Sequence, residues 1–451
     1  MKLLALSPYV LSTVMAASPG AILNSVPTLP LSLPLFPPAA GTVAQVKSVF
    51  AHFMVGNTYH YGVEDWKKDI VLAMGHEIDA FALNVGREDW QRERVQDAFT
   101  AAAGTDFRLF ISLDMTSIPC ASPADAEPLK QYIKEYYHHP NQFRYNGLPM
   151  ISTFSGEGCL FGTGSPNQGW MSAIKGIGDM PLTFIPSFFV DPAKFGEFTV
   201  MDGAFSWNSG WPMDNIPADF EMDEQYIRGL GGRTYMAAMS PWFFTHYGPD
   251  TWNKNWIFRT EDWHLCRRWE LLIQNRAKIG IAEIVTWNDY GESHYIGPIA
   301  GDQPMSQAWV DGFDHQGWLP LIQYYIHAFK TGEYPTIVKD QVFMWGRLYP
   351  AGADASDHVA KPKNWGWTED NIYVVVLLTG RADVTLKCGP TKQEVTLGPG
   401  LSKLKIRPIE TCQATVTISR LGVIVVDHSP PGYRFTTGPP SYNFNAFVSS
   451  S

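Results

Sequence analysis

The 451-residue chain predicts an α/β fold: a (β/α)8 barrel followed by a C-terminal antiparallel β-sandwich. Two observations predict it. Between Lys47 and Pro335, eight short apolar runs alternate with amphipathic stretches. After Pro335, short runs rich in Val, Ile and Thr recur between Gly and Pro turns, without helical spacing. Eight strand–helix alternations are the number that closes a parallel sheet into a barrel. Short, evenly spaced strands bounded by turn residues form a sandwich. A doubly wound open sheet is the competing arrangement, but no G-x-G-x-x-G follows the first run and no P-loop occurs.

The strand candidates are 49–55, 80–85, 108–113, 149–154, 182–189, 203–207, 234–239 and 282–287. Each is four to eight residues long, as strands buried on both faces should be. Helices are expected between them. Residues 63–74 place Trp66, Ile70 and Met74 on one face, and 90–103 place Val95, Phe99 and Ala102 likewise. Residues 124–137 follow a Ser122-Pro123 start. Residues 168–177, 219–230, 261–278 and 305–331 complete the set. The sandwich strands are expected at 342–347, 372–378, 384–387, 394–397, 402–406, 414–418 and 423–426.

The resulting domain plan is a signal peptide over 1–17, a Pro-rich linker over 18–46, the catalytic barrel over 47–335, the sandwich over 336–428 and a coil tail over 429–451. The signal reading rests on Lys2, an apolar run to Val14-Met15, and small residues at Ala16-Ala17. That run is too short and interrupted for a membrane span, so a secreted protein, extracellular or at the cell wall, is expected. Five cysteines are present, with no C-x-x-C and no zinc-like Cys/His spacing. In a secreted chain, Cys120 with Cys159 and Cys388 with Cys412 are the candidate disulfides, which leaves Cys266 over.

Charge narrows the partners. Lys and Arg total 34 against 44 Asp and Glu, a formal charge of −10, which suits neither a phosphate backbone nor an anionic membrane. Aromatic residues reach 14%, with 16 Trp and 19 Tyr, and such rings suit flat, half-apolar ligands such as sugars. A monomer is expected, without metal or cofactor.

Barrel chemistry sits at the carboxyl ends of the strands. There the sequence places carboxylates (Asp114, Glu157, Asp289, Glu292), amides (Asn57, Asn84, Asn208, Asn288), the aromatics Trp207, Trp242, Trp287 and Tyr295, and His294, with almost no cation. Paired carboxylates in an aromatic, amide-lined cleft meet the needs of glycosidic cleavage, in which one protonates the leaving oxygen and the other activates water or attacks carbon. Asp289 and Glu292 are the sharpest pair, flanking Tyr290-Gly291 after the last strand. The competing reading is a solvated acidic loop or a helix cap. Asp114 could equally bond its own loop. Most of the tryptophans could be packing.

The segment Thr286-Trp287-Asn288-Asp289-Tyr290-Gly291-Glu292-Ser293-His294-Tyr295-Ile296 resembles glycoside hydrolase family 71, the fungal α-1,3-glucanases or mutanases. So do Phe50-Ala51-His52-Phe53-Met54-Val55-Gly56-Asn57, Phe81-Ala82-Leu83-Asn84 and Ser206-Trp207, each at its expected strand. The resemblance implies a barrel with an appended sandwich, secretion, and inverting hydrolysis of α-1,3-glucan by Asp289 and Glu292. The expected order is Glu292 as general acid and Asp289 as the base that positions water. The residues Asn57, Asn84, Asp114, Trp207, Asn208, Trp242, Trp287, Asn288, His294 and Tyr295 are the expected substrate contacts. The rivals are a metal-dependent barrel hydrolase and a non-catalytic carbohydrate-binding barrel.

Overall fold

The structure, a computed structural model, describes residues 47–451. The expected signal peptide and the whole Pro-rich linker lie outside the described residues. Residues 47–451 form one compact unit with a mixed α/β fold: a curled, mainly parallel sheet wrapped by helices, then a β-rich region.

The parallel strands are β1 (Ser48–Met54), β2 (Ala80–Val85), β3 (Arg108–Asp114), β4 (Leu148–Phe154), β5 (Thr183–Phe184), β6 (Gly203–Ser206), β7 (Thr234–Met239) and β8 (Ile281–Ile284). Their order in the sheet is β4-β3-β2-β1-β8-β7-β6, with β5 on the outer side of β4. Two backbone bonds cross from the β5 segment toward β6: Asp202 N to Phe184 O and Phe205 N to Pro186 O, both 2.9 Å.

Period two sorts the side chains. Phe50, Ala80, Ala82, Phe110, Met150, Ile185, Met236 and Ile281 meet on the concave face. Val49, Ala51, Phe53, Phe81 and Leu83 point outward to α1 (Val63–Gly75) and α2 (Gln91–Ala102), with Phe53 on Trp66 at 4.5 Å between ring centroids. The later helices are α3 (Ala126–Tyr136), α4 (Pro166–Trp170), α5 (Glu221–Leu230), α6 (His264–Gln274) and α7 (Leu319–Thr331).

Four elements differ from expectation. The fifth strand shrinks to Thr183–Phe184 because Pro186 has no N–H to give to a ladder. The helix expected over 305–331 breaks into Gln307–Val310 and α7, with Gly312 at φ 86° between them. A hairpin, Phe244–His246 with Asn255–Ile257, follows β7 where sequence suggested only loop. The segment 429–451 is not all coil: Phe447–Ser450 pairs as a strand, and its Pro-rich approach hides that short run.

The β-rich region contains β9 (Gln341–Gly346), β10 (Ile372–Leu378), β11 (Ala382–Cys388), β12 (Thr391–Leu397), β13 (Gly400–Ile406), β14 (Cys412–Arg420), β15 (Val423–His428) and β16 (Phe447–Ser450). One antiparallel sheet runs β13-β10-β9-β16 and the other β12-β11-β14-β15. Val342, Val374 and Val376 of the first share a buried cluster with Val384, Leu386, Val416 and Ile418 of the second. This region is fastened to the turn before α6 by a buried ion pair, Arg347 Nε to Glu261 Oε1 at 2.7 Å.

Both candidate disulfides form, Cys120–Cys159 and Cys388–Cys412, and Cys266 is free and buried. Cys388–Cys412 spans 24 residues. Loop-closure entropy for a loop of that size is worth about 3 kcal/mol. Cys388→Ser with Cys412→Ser should therefore lower the denaturation midpoint, measurably in urea, whereas Cys266→Ala should not mimic it. Among the described residues no helix is long and apolar enough to cross a membrane.

Candidate active site

The segment after β8 builds the site. Asp289 starts a single helical turn, Tyr290–Glu292, and its Oδ1 accepts the Glu292 N–H at 3.2 Å. The Asp289 N–H in turn donates to Thr286 Oγ1 at 2.8 Å. The two carboxyl groups thus face one side of one turn. The helix-cap reading of Asp289 is therefore true, and it coexists with a position beside Glu292.

Close approach requires the glycine at Gly291. A Cβ there would lie 2.3 Å from the Tyr247 hydroxyl oxygen, which donates to Pro304 O at 2.8 Å. Tyr247 therefore presses on the turn between the two carboxylates from behind.

Glu292 has two polar partners. Its Oε1 accepts from Lys254 Nζ at 3.2 Å, and its Oε2 lies 3.0 Å from His294 Nε2. His294 is fully buried, its Nδ1 is 3.1 Å from Thr286 Oγ1, and Trp211 stacks on its ring at 5.7 Å. These contacts fix the imidazole and hence the carboxylate.

The electrostatics split the pair. Burial pushes the Asp289 carboxyl up, and the charge on Glu292 pushes it further. Burial also opposes charge on Glu292, but the Lys254 ammonium and the His294 hydrogen bond outweigh it and hold Glu292 well below the usual carboxylate range. Lys254 is raised in return, chiefly by Glu292, with Asp289 and Asp114 adding to it. Burial and the Glu292 charge thus favour the proton on Asp289, while Lys254 and His294 favour the charge on Glu292.

Asp289, Glu292 and His294 offer ligand atoms within 4.8 Å of one another. A divalent cation fits this trio poorly, because the Lys254 ammonium already sits on Glu292 and would repel it.

Other expected contacts divide into two groups. Asp114 ends β3 on the same rim, where its Oδ1 accepts the Thr116 N–H at 3.0 Å and its charge reaches Lys254. Asn84 ends β2 in register with Met54 and Ser112, on the concave face by period two. Trp207 faces inward between Phe154 at 4.8 Å and His52 at 4.9 Å. Asn208 lines a cavity of about 230 Å³ with Trp211 and Asp214.

The remaining contacts serve the structure. Asn288 is buried, and its amide clamps β1 to the site, accepting from Met54 N at 2.7 Å and donating to Met54 O at 3.1 Å. Asn57 supports it by donating to Asn288 O at 2.9 Å. Trp242 is buried with its indole N–H on Phe444 O at 3.0 Å. Trp287 packs behind the sheet on Phe81 at 5.0 Å. Tyr295 is buried and stacked on His315 at 4.0 Å. Glu157 ties its loop to the segment after β5, accepting from Phe189 N at 3.2 Å.

Sequence reasoning missed Lys254 and gave Thr286 and Tyr247 no role of their own, whereas Trp211 is among the tryptophans expected near the rim. Lys254 comes from the far side of the hairpin after β7, beyond the residues that directly follow the strand end.

Residues 45–451 match the profile of glycosyl hydrolase family 71. The chain is 39% identical over 413 residues to a glucan endo-1,3-alpha-glucosidase of Schizosaccharomyces pombe, covering 89% of this chain and 94% of that protein. It is 33% identical over 438 residues to a mutanase of Penicillium rubens, covering 93% and 92% of the two chains. It is 32% identical over 350 residues to an ascus wall endo-1,3-alpha-glucanase of Schizosaccharomyces pombe, covering 73% and 78%.

Proposed function

We propose, from the premise that this chain belongs to glycosyl hydrolase family 71, that Asp289 and Glu292 carry its hydrolysis of α-1,3-glucan. The chain is a glycoside hydrolase of the glucan endo-1,3-α-glucosidase type. The observation that carries the site assignment is the opposed charge preference of two carboxyl groups on one turn. A protonated and an ionised carboxyl side by side are the two states that glycosidic cleavage requires.

In this reading Asp289 donates its proton to the glycosidic oxygen as the bond breaks. Glu292, ionised and held by Lys254 and His294, faces the positive charge that develops at the anomeric centre. Inversion requires a water between the anomeric carbon and one of the two carboxyl groups when substrate is bound. In the alternative, Glu292 attacks carbon and configuration is retained. The anomer of the first-formed reducing end separates the two: β for inversion, α for retention.

The finer architecture belongs to the same reading. The two backbone bonds from the β5 segment to β6 support a sheet closed as a (β/α)8 barrel over 47–335. The shared apolar cluster supports a sandwich of the two later sheets over 336–428. Two disulfides suit an oxidising compartment, so action outside the cell or at its wall follows. The protein is proposed to act as a monomer on insoluble polysaccharide.

The test is reducing-end release from insoluble α-1,3-glucan, with α-1,4- and β-1,3-glucans as controls. Release from the first alone supports the reading. A folded protein that sediments with the polymer but releases nothing is a binder. Activity abolished by EDTA and restored by a divalent cation would replace the two-carboxylate scheme with a metal-dependent one.

Lys254 gives a prediction with a definite sign. Its charge lowers the pKa of both Glu292 and Asp289. The reaction uses ionised Glu292, which sets the acidic limb, and protonated Asp289, which sets the alkaline limb. Lys254→Met should move both limbs of log kcat/KM to higher pH, and Lys254→Arg should restore them. An unmoved acidic limb would remove Lys254 from the site.

A further inference from the structure

We propose that a cavity behind the catalytic hairpin is a second binding site for a segment of α-1,3-glucan. This deepens the reading above and rests on it. The cavity measures about 310 Å³, near the lower end of ligand pockets at roughly 300–1,000 Å³. Tyr247 and Thr251 of the hairpin form one wall, Met305 and Trp309 a second, and Asp357 and His358 of the β-rich region a third.

The lining chooses the chemical class. Among the described residues that line it there is no lysine or arginine. An anionic ligand would find no counter-charge. The walls combine apolar surface from Met305 and Trp309 with hydroxyl, amide and imidazole groups, which suits a neutral sugar ring with one apolar face and a polar edge. Trp252 is 42% exposed and packs edge-on against Tyr247 at 4.6 Å, so a second ring face lies open beside Tyr247.

The position ties the cavity to the reaction. Tyr247 borders the cavity and also presses on Gly291, between the catalytic carboxylates. Its N–H donates to the carbonyl of Lys254 at 2.7 Å, and Lys254 holds Glu292. One hairpin therefore presents a cation to the catalytic pair and a wall to the cavity. The wall is already fixed: His246 lies 2.9 Å from Asn255 Oδ1 and 3.1 Å from Asp357 Oδ2. Binding there costs little ordering. A polymer held at two adjacent sites gains from effective concentration, which a short oligosaccharide cannot exploit.

The test titrates α-1,3-linked glucotetraose into the Glu292→Gln protein by calorimetry. Two binding events per chain are expected. Ala308→Phe, at an exposed residue of the cavity lining, should remove one event and leave the other. In protein that is otherwise unaltered, Ala308→Phe and the rim change His358→Ala should each raise KM for insoluble α-1,3-glucan several-fold, and KM for the tetraose less. A single event untouched by Ala308→Phe overturns the second site while hydrolysis stands. Two events in a protein that hydrolyses no α-1,3-glucan overturn the hydrolase reading while the second site stands.

Discussion

Glu292→Gln and Asp289→Asn should each lower kcat on α-1,3-glucan by roughly 10²–10⁴-fold, the range for loss of a positioned acid or base. The reason lies in how little else either change disturbs. The amide introduced by Glu292→Gln keeps the shape that His294 touches but loses the charge that Lys254 and the reaction need. The amide introduced by Asp289→Asn keeps an oxygen for the Glu292 N–H but holds no transferable proton. Both proteins should unfold near the wild-type temperature, so lost activity reports chemistry. The double variant should fall little below the worse single one, because groups that act as a unit are not additive. Activity within tenfold of wild type in either folded variant would return that carboxylate to the status of a loop residue. The pH profile then assigns roles. In Asp289→Asn the alkaline limb should vanish, and in Glu292→Gln the acidic one. The opposite pattern would restore Glu292 as acid and Asp289 as base.

Much of this site is legible in the chain's residues alone, and the failures have physical causes. The runs at β2 and β7 match their sequence bounds because strands covered on both faces are apolar throughout. The catalytic segment is legible because Asp, Gly and Glu at that spacing can share one turn. The tryptophans are not. A side chain at a strand end can enter the cavity or pack behind the sheet, and period two decides only while the strand continues. Trp207 follows Ser206 directly and keeps the inward parity of Phe205. Trp287 lies three residues beyond Ile284, where β8 has ended, and turns outward to Phe81. Asn288 and Asn57 failed differently. A buried amide answers a backbone donor and acceptor as readily as a sugar hydroxyl, and composition cannot tell the two apart. Lys254 is hidden by distance: it lies 38 residues before Glu292 in the chain, and only the hairpin brings it back.

Arg268→Ala should destabilise the protein by about 3–5 kcal/mol, the cost of leaving a buried charge without its partner. Arg268 and Asp223 are each 1% exposed and meet in two parallel bonds of 2.7 Å. Nε also donates to Ala238 O at 2.9 Å and Nη2 to Ser209 Oγ at 3.0 Å. Tyr235 donates to the same carboxylate at 2.6 Å. The network joins α5, α6 and β7 to the turn Trp207–Gly210, and so to Trp207 and Asn208 at the rim. Asp223→Ala should cost a similar amount, since it strands the cation. The double variant should cost clearly less than the sum, because neither charge is then left alone. Urea midpoints of the three proteins test this coupling. If Arg268→Ala cost under about 1 kcal/mol, the pair would be behaving as an exposed one. A loss of glucan affinity in Arg268→Ala, measured below its unfolding temperature, would then have to come from the Trp207 turn alone.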